Sequence, residues 1–153
     1  MSGDDDRQRG PERLVVLHRL AGTKKAHELC RLVEMLYLAG RRVTVWVSDP
    51  GRAATLDEYL WTFAQHSFVP HSLWNGHDSL DDPVVLVTGT LANPNESDVL
   101  IVADHLAEPS LAAAWAETHD LVTAAAEDAD KKDAWAAGGF TVKETRGIGA
   151  PDR

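Results

Sequence analysis

The chain has 153 residues, 44% of them hydrophobic, which is enough for one domain with a real core. Its formal net charge is −9 and its pI about 5.1, so the surface as a whole repels phosphate backbones, and tight direct DNA or RNA binding is not expected unless a local basic patch exists. The polar start Met1–Arg7 has no apolar signal-peptide core and no later run approaches ~20 apolar residues, so a soluble cytoplasmic protein with no membrane partner is expected.

Residues 1–12 are charged, end at Gly10-Pro11 and hold little apolar surface, so a disordered tail is expected there. A single domain over 13–145 follows. Leu14-Val15-Val16-Leu17 reads as a buried first strand within Arg13–Leu20. Thr23 is expected to cap a helix from about Lys24 to Ala39. In it Leu29, Leu32, Val33, Leu36 and Tyr37 recur at three- and four-residue steps, and Gly40 supplies the stop. Cys30 lies inside this helix. A lone cysteine forms no internal disulfide, and with no local activating base it reads as a small core residue in a reducing compartment. Val43–Val47 is a β-branched second strand. Ser48-Asp49-Pro50-Gly51 reads as a turn, followed by a helix from about Arg52 to Phe63 with Leu56, Tyr59, Leu60 and Phe63 on one side.

From Ala64 to Asp82 the chain is expected to be irregular. Pro83–Thr88 is a third strand, Asn93-Pro94-Asn95 a turn, and Val99–Ala103 a continuous apolar strand of the kind found in parallel sheets. Ser110 is expected to cap a helix running through Trp115 to about His119. A short strand at Leu121–Thr123, a helix over 127–137 ended by Gly138-Gly139, and a last strand at Phe140–Lys143 complete the domain. Residues 146–153, with two Gly and a Pro, are expected to be a flexible tail. Strands alternating with helices predict an α/β domain with a mainly parallel sheet covered on both faces.

Such a fold invites a nucleotide site, but the motifs are missing. Val99–Asp104 is an apolar strand ending in Asp, yet the nearest partner for a phosphate loop, Gly22-Thr23-Lys24-Lys25, has one glycine and the wrong spacing. His66, His71 and His77 are spaced unlike any zinc pattern, with no cysteines to join them, so they read as loop or interface histidines. His71 is expected to bond to backbone and set the shape of its loop. No Gly-x-Ser-x-Gly elbow occurs. Adjacent Asp57 and Glu58 point about 100° apart on a helix and cannot share a substrate. No metal and no cofactor are expected. One catalytic reading stays open: a small α/β enzyme using His71, Asp104 and His105 at strand ends, where such folds hold ligands.

The most informative stretch runs from Leu56 to Leu73. It begins as an amphipathic helix and ends in an apolar loop, Phe68-Val69-Pro70, that no simple fold rule requires; a loop that apolar covers a core or meets a partner. Its pattern Leu56-Asp57-Glu58-x-Leu60-Trp61, six residues, then Ser67-Phe68-Val69-Pro70-His71-x-Leu73 resembles the chi subunit family of bacterial DNA polymerase III. The junction Gly40-Arg41-Arg42-Val43, Asp49 followed by Arg52, and Asn93-Pro94-Asn95 before Asp98-Val99-Leu100-Ile101 support the resemblance, which covers roughly residues 13–145.

The resemblance implies a three-layer Rossmann-like domain with no functional nucleotide site and no catalysis of its own. It implies an accessory subunit of the replicative polymerase's clamp-loader complex that bridges a psi-like subunit and single-stranded-DNA-binding protein, with DNA reached only indirectly. The psi-like surface would consist of Trp61 and Phe68 as aromatic anchors with Val69, Pro70 and Leu73, and a repair helicase would compete for it. Aromatic anchors and a proline-ordered loop suit an interface physically. The acidic-hydrophobic C-terminal tail of single-stranded-DNA-binding protein would take Val122, Lys131, Lys132 and Trp135. The last helix, however, carries Glu127, Asp128, Asp130 and Asp133, which oppose an acidic tail.

Overall fold

The computed structural model describes residues 13–22, 24–64 and 68–148. The tail expected over 1–12, the Thr23 cap, residues 65–67 and the end of the expected C-terminal tail lie outside them. Seven strands form one sheet: β1 (Leu14–Arg19), β2 (Val43–Val47), β3 (His71–Leu73), β4 (Val84–Thr88), β5 (Val99–Val102), β6 (Glu117–Val122) and β7 (Thr141–Arg146). Their order is β3-β4-β2-β5-β6-β1-β7 and every pairing is parallel. The helices are α1 (Lys25–Leu38), α2 (Pro50–Thr62) and α3 (Lys131–Ala137), with 3₁₀ turns at Pro109–Ala114 and Ala126–Asp128.

The central strands β2, β4 and β5 are almost entirely apolar because both faces of the sheet are covered. Every residue of β2 and β5 is buried. Alternate residues feed two cores. Val43, Val45, Val84, Leu86, Val99 and Ile101 meet Leu29, Leu32, Val33, Leu56 and Leu60 from α1 and α2. Trp46, Val85, Val87, Leu100 and Val102 meet Ala112, Trp115, Trp135 and Phe140 on the other face. The result is a three-layer, Rossmann-like α/β domain. Each core Trp that brings an N–H inside finds an acceptor: Trp46 donates to Gly89 O at 2.8 Å, Trp115 to Ser97 Oγ at 3.2 Å, and Trp135 to Asp120 Oδ2 at 3.0 Å.

Local chemistry sets the ends. Gly40, at φ +81°, closes α1, and Arg41 N bonds back to Leu36 O at 3.0 Å. Asp49 is an N-cap rather than a turn residue: its Oδ2 accepts from Arg52 N at 2.9 Å, and Pro50 opens α2 two residues earlier than expected. The Asn93-Pro94-Asn95 turn is an anchor as well. Asn95 is buried and donates to Val43 O and Asp82 O, while Thr44 bonds to Asn93, Asn95 and Ser97.

Four expectations need correction. The stretch left irregular after Ala64 contains β3, which three residues and a half-buried pattern conceal. The helix expected from Ser110 to His119 is a 3₁₀ turn ending at Ala114, because Glu117–Val122 is claimed by β1 and β5 as a sixth strand. The helix expected over 127–137 divides into a 3₁₀ turn and α3. The last strand extends to Arg146, and Ile148 beyond it is buried in the α1–α2 core, so the expected tail is ordered this far.

Candidate functional site

The C-terminal turn of α2, the loop after it and β3 together form one edge of the molecule. Trp61 is 47% exposed, Phe68 65% and Leu73 41%. The Trp61 and Phe68 rings lie 5.4 Å apart and tilted, so they form one aromatic platform rather than two separate side chains. Trp74, the remaining Trp, still donates to Asp78 O, whereas the Trp61 indole N–H bonds to none of the described residues. Covering the half of such side chains that is still exposed gains on the order of 1 kcal/mol each. Among the described residues no strand pairs with the outer side of β3.

The platform rests on a fixed support. His71 is buried; its Nδ1 is 2.7 Å from Val69 O, and its Nε2 is 3.0 Å from Asp57 O and 3.2 Å from Asp57 Oδ1. One ring therefore ties β3 to the loop before it and to α2, as the backbone role expected of His71 requires. The Trp61 ring packs on His71 with centroids 4.2 Å apart. Of the five residues expected to dock a partner, Trp61, Phe68 and Leu73 face solvent and Pro70 is half-buried. Val69 is 1% exposed and belongs to the core, where it holds the loop down.

The second expected set is arranged differently. Val122, Lys131 and Trp135 are buried. Lys131 Nζ donates to Asp120 Oδ1 at 2.7 Å and to Leu121 O at 2.9 Å, and lies 3.6 Å from Asp128 Oδ1. Asp128 in turn accepts from Thr123 and pairs with His105 at 3.0 Å. Only Lys132 is on the surface, 2.8 Å from Glu144. The groove beside α3 encloses about 110 Å³, less than the few hundred Å³ usual for ligand pockets. No periodicity in the sequence distinguishes Lys131 from Lys132; the signal was Asp120, a carboxylate inside a strand that needs a cation.

The enzyme constellation does not assemble. His71 opens β3 at one end of the sheet, while Asp104 and His105 follow β5 at the other end, with β4 and β2 between the two strands. Asp104 Oδ2 accepts from Ser48 N and Ser48 Oγ, and His105 is taken by Asp128. A cleft of about 470 Å³, lined by Lys25, Leu29, Leu56, Tyr59 and Asp104, lies where the connections of β2 and β5 diverge.

Two buried groups complete the electrostatics. Cys30 is buried, which pushes its thiol up to about 12 and leaves it an inert core residue. His18 and His119 stack between β1 and β6, with Nε2 and Nδ1 2.8 Å apart; Glu117 holds the far side of His119. Burial, reinforced by His119, lowers His18 to about 4.

Residues 14–137 match the family model described as DNA polymerase III chi subunit, HolC. The chain is 35% identical over 72 residues to the DNA polymerase III subunit chi of Pseudomonas aeruginosa, which covers 47% of this chain and 49% of that protein. It is 27% identical over 74 residues to the probable DNA polymerase III subunit chi of Rickettsia prowazekii, covering 48% of this chain and 44% of that one. The matched part thus spans about half the length of each of these curated relatives.

Proposed function

Because the chain belongs to the DNA polymerase III chi subunit family, we propose that it is a non-catalytic accessory subunit of the replicative polymerase, joined to the clamp loader through a psi-like subunit that docks on the β3 edge. The observation that carries this reading is the exposed Trp61–Phe68 platform, seated on a buried His71 that ties three segments together. A rigid, apolar, aromatic surface at a sheet edge is what a protein partner uses and what a substrate does not need. The catalytic alternative has no comparable support, since its three residues sit at opposite ends of the sheet.

The bridging half of the function joins a second partner, the C-terminal tail of single-stranded-DNA-binding protein, on the α3 side. Two sites on one rigid body raise the effective concentration of each partner for the other. Among the four residues expected there, Lys132 alone is exposed, so family membership rather than local geometry supports this half.

The test is a pull-down of the psi-like subunit of the same organism by the wild-type chain and by Trp61→Ala and Phe68→Ala. Both variants should lose the partner while their circular dichroism and melting temperature stay near wild type. Undiminished capture by both would remove the β3 edge from the reading. Titration of a labelled tail peptide at low salt, with no binding found, would remove the bridging half alone.

A further inference from the structure

The net charge of −9 conceals a strong segregation. Between Arg52 and Lys131 the chain has no Lys or Arg at all, yet this span holds 14 of its 24 Asp and Glu. The rest of the chain is therefore net positive. The span contains most of α2 together with β3, β4, β5 and β6, so the β3 edge and the aromatic platform on it come from the acidic part. The opposite edge, β7, carries Lys143 and Arg146.

The acids lie where a partner would meet them. Glu58 is exposed one helical turn before Trp61 and so shares its side of α2. On the other side of the platform, Asp78 and Asp81 are exposed in the segment after β3, and Asp82 accepts from Ser72 of β3 itself. Among the described residues the nearby cation is Arg42, whose guanidinium donates to the carbonyls of Asn95, Asp81 and Asp82 and to none of the described carboxylates. The apolar platform is thus flanked on two sides by carboxylates that pair with no Lys or Arg among the described residues.

Resting on the docking reading above, we infer that the segment of the psi-like partner received at the β3 edge is apolar along one face and carries Lys or Arg on both flanks of that face. Aromatic burial holds the complex and the acidic flanks steer and orient it. A second copy of this chain presenting the same edge would bring carboxylate against carboxylate, so self-pairing through this face is opposed by charge.

Binding of the purified psi-like subunit is measured at about 0.05 M and about 0.5 M salt, between which charge interactions pass from weakly to strongly screened. Wild type should bind at least about tenfold more weakly at high salt, chiefly through a slower association rate. The pair Glu58→Gln with Asp81→Asn should weaken low-salt binding by a similar factor and flatten the salt dependence. The distant pair Asp133→Asn with Asp130→Asn should leave both unchanged, because it removes the same two negative charges away from the edge. If Trp61→Ala abolishes binding but neither salt nor the Glu58/Asp81 pair affects it, the docking reading stands and the basic-flanked partner is refuted. If none of these substitutions matters, the docking reading fails with it. Partner-free association of the chain, lost in Trp61→Ala on analytical ultracentrifugation, would identify a second copy as the occupant and overturn the inference.

Discussion

At the β3 edge, Trp61 and Phe68 stand partly in solvent, and the exposed carboxylates of Glu58, Asp78 and Asp81 pair with no Lys or Arg among the described residues. At α3, Trp135 and Lys131 are buried, and each is bonded to the same carboxylate, Asp120. Both regions combine an aromatic ring with charge, and both were expected to bind partners. They differ in where the hydrogen-bonding capacity goes. In α3 the indole N–H and the ammonium are consumed inside the protein, which leaves the outside little to offer. At the edge a histidine does the internal work and the aromatic rings remain free. A binding surface is therefore identified by what its polar neighbours have already been used for, rather than by the residue types it contains.

The largest test of this contrast is Lys131→Met. It keeps the packing of the stem but leaves Asp120 buried without its cation, so unfolding in urea should reveal a loss of about 3–5 kcal/mol; a loss below about 1 kcal/mol would show that Asp120 is not held as an ion pair. The converse is expected of Trp61→Ala. Partner binding should weaken by about 2–4 kcal/mol, measured by titration calorimetry, while the urea midpoint scarcely moves because the ring is half exposed. A parallel collapse of stability would make the platform part of the core.

The contrast sharpens at the interior His18–His119 pair, another place where polar capacity is spent inside. His18 is lowered to about 4 in the folded chain. Its stabilising neutral form is fully favoured above the unfolded value near 6.5, and the unfolded chain takes up the proton first as pH falls. Stability should drop by on the order of 2–3 kcal/mol between pH 6.5 and about 4, then level for this group. His18→Gln should flatten that part of the curve, and a limb of unchanged slope would assign it to other groups. The smallest effect is expected of Lys132→Gln, whose contact with Glu144 is screened by solvent, so the urea midpoint should stay at its wild-type value. If tail-peptide binding nevertheless fell sharply in this variant, α3 would regain its standing as a second docking site.

The fold was largely legible in the sequence. The β-branched runs at Val43–Val47 and Val84–Thr88 and the continuous apolar run at Val99–Val102 gave the parallel sheet, and Gly40 marked the end of a helix, where its φ is +81°. β3 escaped because three residues carry no period. β6 was legible only at its end, Leu121-Val122; its first four residues escaped because Thr118, His119 and Asp120 are polar residues that a strand can bury only once tertiary partners exist: His18 for His119, and Lys131 with Trp135 for Asp120. The same limit governed the sites. Exposure of Trp61 and Phe68 was readable from an apolar loop without a fold reason, but inward use of Lys131 depends on a carboxylate eleven positions away in sequence, on β6.

The sheet order also governs when the molecule can be completed on the ribosome. β1 lies between β6 and β7, so Leu14 waits for Glu117 on one side and Thr141 on the other. At translation rates of about 5–20 residues per second, that separation leaves the apolar strand Leu14–Arg19 without its neighbours for roughly 5–20 s. During that time β2, β4 and β5 can pair among themselves. Closing the sheet is then a late, long-range step of the kind that slows folding. Until it happens, Leu14-Val15-Val16-Leu17 is a bare strand that trigger-factor-like chaperones, or another nascent chain, can reach first.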